Sequence, residues 1–138
     1  MDFKTKQTQS ILNEKYIKLT YDPTDKVVIA KWMGFLKFED LKRGCEVMNE
    51  KIKQENLTRH ISDQSELKVL AKELQEYIGG VWFDEVEKLG LRKIAILVAE
   101  DVFAQATVNK VNTQAQFRQL QIQTFGSLEK CYQWLTEK

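Results

Sequence analysis

The chain carries one imidazole and two thiols, so any histidine-based triad or metal centre has to be built around His60, and any thiol chemistry around Cys45 or Cys131. His60 sits in Arg59-His60-Ile61, with no second histidine and no cysteine at ligand spacing. Metal sites recruit several such ligands, and a triad needs partners. The expectation is a satisfied or solvent-facing histidine. A cysteine becomes a nucleophile only where a basic environment lowers its pKa. Both cysteines fall on the apolar face of a predicted helix, where burial acts the other way, so core packing is the reading for each. Asp84, Glu85 and Glu87 crowd beside Trp82-Phe83, but neighbouring positions on a helix fan around its axis, and Lys88 follows at once. A solvated face is expected there. Gly79-Gly80, the only adjacent glycines, lie inside a helical pattern, and the phosphate-cradling glycine motifs are absent from the sequence. The residues therefore predict no catalytic group, no metal and no cofactor, and the chain reads as not an enzyme.

Charge narrows the partners further. Lys and Arg number 21 against 20 Asp and Glu, for a net charge of +1, with the signs interspersed. Nucleic-acid binders draw most of their affinity from a basic excess that meets phosphates, so nucleic acid is not an expected partner. The longest wholly apolar run, residues 94–99, falls far short of a bilayer span. The first residues lack the apolar stretch of a secretory signal, so a cytoplasmic location with reduced thiols is predicted. Hydrophobic residues make up 43% and charged residues 30% of the sequence, as in an ordinary globular protein. No linker or repeat divides residues 1–138, which read as a single domain.

The elements that would position these side chains follow from periodicity. Residues 1–14 read as a loose lead-in with a short strand at residues 10–13. Residues 16–21 alternate, with Ile17, Leu19 and Tyr21 on one face. Asp22-Pro23-Thr24-Asp25 supplies turn residues, and residues 26–33 are β-branched and apolar, so the two runs form an antiparallel hairpin. Leu41, Cys45, Met48 and Ile52 mark one face of a helix over residues 38–54. Residues 57–63 read as the next strand, and residues 66–89 as a long helix closed by Gly90 at a C-cap. Residues 93–99 (KIAILVA) are apolar without a break, as in a parallel strand covered on both faces. Asp101 is a candidate N-cap for a short helix. Residues 117–125 alternate as a last strand, and Ser127 caps a final helix with Leu128, Cys131, Tyr132 and Leu135 on one face. The order ββαβαβαβα predicts an α/β fold with an open, largely parallel sheet extended by an N-terminal antiparallel hairpin. Residues 27–33 and 94–98 are expected to lie inside that sheet.

Several strings carry a family resemblance: Trp32-Met33-Gly34, Ser62-Asp63, Trp82-Phe83, Gly90-Leu91-Arg92-Lys93-Ile94-Ala95, and Phe125-Gly126-Ser127-Leu128-Glu129 leading to Trp134-Leu135. With the element order, they make the chain similar to the SpoIIAA-like (STAS/Sec14-type) family of small bacterial proteins. They are packing and turn residues, so the resemblance implies a fold and little about activity. One branch of that group, the anti-anti-sigma factors, switches partners by phosphorylation of a serine in an Asp-Ser-Ser-Gly segment. This chain reads Ser62-Asp63-Gln64-Ser65-Glu66-Leu67 instead. Ser65 is the nearest candidate phosphosite, and Glu66 beside it would repel a phosphate. The lipid carriers of the wider group are considerably longer than this chain.

Two function classes remain. One is a non-enzymatic interaction or regulatory module with an unknown protein partner, a second copy of the chain included. The other is a binding protein for a small apolar, lipid-like ligand held between sheet and helices. The sharpest pointer to a functional surface is an irregularity in the long helix. At about 100° per residue, Leu70, Leu74, Tyr77, Ile78 and Val81 cluster on one side, whereas Trp82, Val86 and Leu89 cluster about one residue's turn away. A straight helix cannot aim both groups at one sheet. A break or π-type bulge at Gly79-Gly80 would reconcile them. The expectation is that Gly79, Gly80, Trp82 and Phe83 form the functional surface, with the glycines allowing close approach.

Overall fold

The computed structural model describes residues 7–106 and 119–137. The elements along the chain are β1 (Gln9–Glu14), β2 (Ile17–Asp22), β3 (Val27–Phe35), α1 (Phe38–Glu55), β4 (Arg59–Val69), α2 (Lys72–Tyr77), a π-helical turn (Ile78–Trp82), α3 (Phe83–Leu89), β5 (Lys93–Leu97), α4 (Glu100–Ala106), β6 (Gln121–Phe125) and α5 (Leu128–Thr136). The six strands form one sheet in the order of the chain, β1 to β6. β1, β2 and β3 pair antiparallel, and β3 to β6 pair parallel.

Local chemistry sets each boundary. The hairpin aligns Ile17, Leu19 and Tyr21 with Trp32, Ala30 and Val28, so one face of both strands is apolar. Asp22 closes the turn by accepting the Thr24 and Asp25 N–H groups at 2.9 and 3.4 Å, an Asx-type turn. α1 buries the predicted stripe of Leu41, Cys45, Met48 and Ile52. Gly44 lies in the same face for a steric reason: a Cβ there would meet Trp32 at 2.7 Å and Ile17 at 2.9 Å. Gly90 ends α3 in the left-handed region at φ 110°, as its C-cap position predicts. Ser127 caps α5 by accepting the Lys130 N–H at 3.2 Å.

The sheet has two unlike faces. α1, α2 and α3 cover one, where Leu74, Trp82 and Val86 join the strand residues. α5 covers part of the other, setting Cys131, Tyr132 and Leu135 against Val27, Ile61, Ala95 and Leu97. There the Tyr132 hydroxyl donates to the Asp22 carboxylate at 2.8 Å, joining residues 110 positions apart.

The short strand expected at residues 10–13 is present as β1, which takes the free edge of β2 with a bulge between Ser10 and Leu12. Three expectations are corrected. The long helix does not begin at Glu66, because β4 runs on to Val69 and pairs its end with Met33, Gly34 and Phe35 of β3. Lys31 fixes that extension through an ion pair to Glu66 at 2.6 Å. Asp101 lies in the first turn of α4 and does not cap it; the Phe103 N–H bonds to the Ala99 carbonyl. The last strand starts at Gln121, and Phe117 and Arg118, placed at its beginning by the sequence reading, lie outside the described residues. β3 and β5 are interior strands, as the apolar runs predict.

Candidate functional site

Side chains two apart on a strand share a face, so His60, Ser62 and Gln64 of β4 all look toward α1 and the π-helical turn. β4 lies between β3 and β5, with Ile94 opposite His60 and Ile96 opposite Ser62. A polar stripe thus runs across an apolar floor. Above it stand Leu41, Cys45 and Met48 of α1, and Ile78, Gly79, Trp82 and Phe83 around the π turn. The space between is a cavity of about 360 Å³. It opens past Gly79 and Gln75, both exposed. Among the described residues no aspartate, glutamate, lysine or arginine lines it.

The π turn is what leaves this space. One extra residue in the turn rotates the following helix by about 100°. Trp82 thereby joins Val86 on the buried side, and its indole N–H donates to the Asn49 side-chain oxygen at 2.9 Å. Trp82 packs edge-on against His60, with ring centroids 5.6 Å apart. Phe83 stays half-buried beside it. The expected irregularity at Gly79-Gly80 is therefore present. The close approach attributed to the glycines is not: a Cβ on either would meet no atom within 4 Å. Gly79 borders the mouth, whereas Gly80 does not line the cavity.

His60 is 1% exposed, and its Nδ1 lies 2.8 Å from the Val28 carbonyl oxygen. A carbonyl only accepts, so Nδ1 carries the proton and Nε2 keeps its lone pair. Burial lowers the imidazole pKa from 6.5 to about 4, against a smaller raising effect from the Val28 bond, and the ring is neutral at physiological pH. Beside it, Ser62 accepts from the Gln64 amide at 3.3 Å. Cys45 lines the same space, but burial, aided by the nearby Glu85 and Glu46 carboxylates, raises its thiol pKa well above the ordinary value. It is an inert wall residue. Cys131, on the other sheet face, is pushed up to about 12, chiefly by burial. Both cysteines pack as core side chains, as their helix faces predict.

The remaining sequence candidates do not converge here. Ser65 is exposed on β4, where its hydroxyl and N–H both bond to Asp63 Oδ1, at 2.6 and 3.0 Å. Asp84 pairs with Lys88 at 3.1 Å. Glu87 departs from the expected solvated face: it is buried and accepts the Gln119 N–H at 2.8 Å. Among the described residues no group of three or more His, Cys, Asp or Glu side chains is placed to hold a metal ion. Trp82, Phe83 and Gly79, singled out in the sequence, line this cavity, whereas its floor was not singled out. His60, Ser62 and Gln64 alternate in an otherwise buried strand, and that spacing was the available signal.

A mixed sheet whose parallel strands follow one another in chain order, with helices wound along it, is a SpoIIAA-like fold. The crystal structure of an uncharacterised DUF3478-family protein with a SpoIIAA-like fold, from Shewanella loihica, is similar to this chain. The TM-score is 0.54, and the match covers 86% of this chain and 91% of that one at 16% identity. That likeness establishes the fold alone. No protein-family model matches the sequence, and no curated protein matches it significantly. Among the described residues no helix is long and apolar enough to cross a membrane.

Proposed function

We propose that this chain is a non-enzymatic binding protein for a small, mostly apolar molecule held between the sheet and the α1–α3 layer. The observation that carries the reading is the cavity of about 360 Å³, walled by aliphatic and aromatic side chains and crossed by a short polar stripe. Ligand sites combine a concave apolar lining with a few placed polar groups in this way. Each buried methylene contributes about 0.8 kcal/mol. An eight-carbon chain thus supplies about 6 kcal/mol, corresponding to dissociation constants of tens of micromolar.

Native mass spectrometry of freshly purified protein, together with titration of octanol followed by tryptophan fluorescence, tests the reading. Trp32 and Trp82 both line the cavity and report its occupancy. Retained cargo, or saturable quenching by octanol, is expected. The Ile96→Phe variant fills the cavity from the floor and is expected to abolish the response without lowering the melting temperature. A wild-type protein that takes up neither cargo nor octanol would overturn the proposal.

A further inference from the structure

We infer that the cavity, taken as the small-molecule site proposed above, selects an uncharged ligand whose polar end is a hydroxyl, held between His60 and Ser62. The inference rests on how the donors and acceptors of the floor are already committed. His60 Nδ1 is used by the Val28 carbonyl, which leaves Nε2 as a pure acceptor, and no other described residue bonds to it. Tyr16 Oη, and not His60 Nε2, is the fully buried side-chain atom without a partner among the described residues. Nε2 is reached from the cavity that His60 lines, and a ligand that displaces water there must supply the donor that water gives. Ser62 Oγ accepts from the Gln64 amide, so its own hydrogen is free to point at a ligand oxygen. The floor therefore offers one acceptor and one donor, two residues apart on the same strand face.

His60 and Ser62 are neighbours on one strand face, about 7 Å apart at Cα, and two hydrogen bonds of about 2.8 Å meeting at one oxygen bridge about 4.6 Å between side-chain atoms. A hydroxyl gives one hydrogen and accepts one, and so satisfies both groups at once.

Charge excludes the alternatives. A carboxylate would enter a cavity lined, among the described residues, by no lysine or arginine. The exposed carboxylates of Glu46 and Glu85, outside the lining, act on the Cys45 wall electrostatically and disfavour a further negative charge beside it. An ammonium would bring several donors to one free acceptor and leave the others buried and unpaired. An ether supplies no donor, so Nε2 would stay unsatisfied. Size is consistent too: at about 30 Å³ per water, the cavity corresponds to roughly a dozen solvent molecules, the scale of a medium-chain alcohol or a substituted phenol.

The test compares octanol with heptyl methyl ether (its isomer without a donor), octanoate and octylammonium, each titrated against the full chain at neutral pH. Octanol is expected to bind at least about tenfold more tightly than each of the others, as one satisfied buried hydrogen bond implies. In the Ser62→Ala variant octanol and the ether should each bind about fivefold more weakly, because both present an oxygen to the Ser62 hydroxyl, while the octanol-to-ether ratio, set by the donor to His60, should hold. His60→Phe should erase the preference altogether; if that variant does not fold, as judged by circular dichroism, Ser62→Ala decides alone. Ether, octanoate or octylammonium matching octanol on the wild-type protein would overturn the inference while leaving the binding site standing. An unchanged octanol affinity in Ser62→Ala would overturn it as well. If none of the four binds, the binding reading itself falls, and this assignment with it.

Discussion

The two faces of the sheet each bury one polar side chain almost completely, Asp22 on the α5 side and His60 on the α1–α3 side. Asp22 is saturated: it accepts from two backbone N–H groups of its own turn and from the Tyr132 hydroxyl. His60 makes one hydrogen bond, through Nδ1, and its ring lines an open cavity. A buried polar group whose valences are all met by the chain stabilises a fold, whereas one with a valence left over takes its partner from what occupies the space beside it, water included. The same contrast runs through the glycines of the cavity side. Gly44 sits where a methyl group would strike Trp32 and Ile17, and Gly79 sits where a methyl group would touch nothing. One end of that layer is closed by packing, and the other is left open.

The largest test of this contrast is Asp22→Ala. It removes a charge-assisted bond and a turn cap, and strands the Tyr132 hydroxyl, so chemical denaturation should show a loss of about 4 kcal/mol. A loss under about 1 kcal/mol would mean that the α5 face is not latched through this residue.

A second test exploits the single histidine. Its folded pKa lies near 4, and the ordinary value is 6.5. As the pH falls below 6.5, the unfolded chain takes up the proton first, which favours unfolding. Stability linked to His60 is thus undiminished above 6.5, declines between 6.5 and 4, and has lost about 3 kcal/mol once the folded pKa is passed. The imidazole resonance, followed by NMR, should titrate near 4 in the native state. A midpoint near 6.5 would show that the ring is open to water.

The smallest effects separate the two glycines. Gly44→Ala should destabilise by about 2 kcal/mol, because the helix must lift from β2 and β3. Gly79→Ala should stabilise by about 0.5 kcal/mol through the unfolded state, since its backbone is not in the left-handed region. Equal effects at the two sites would erase the distinction between a packed and an open end.

What could be read in the sequence was what depends on local repetition. The hairpin, the α1 stripe, the KIAILVA strand and the need for a helical irregularity at Gly79-Gly80 all follow from side-chain period. β1 and the extension of β4 were harder to see, because edge pairing and bulges decide them, and neither leaves a regular alternation. His60 illustrates the limit for the site. Its burial, its tautomer and its free nitrogen depend on β3 and the π turn, elements far from it in the chain.

The coincidence of strand order with chain order has a kinetic side. Each strand of this sheet docks on an edge that the preceding segment has already made, so pairing proceeds between near neighbours and the entropy of closing large loops is seldom lost in one step. The sheet can grow outward from the first hairpins while later segments are still emerging from the ribosome. The Tyr132–Asp22 bond is of another kind, because it joins the last helix to the first turn of β2 and β3. Assembly of this chain would then be progressive in its strands and completed by a clasp that closes only when the final helix arrives.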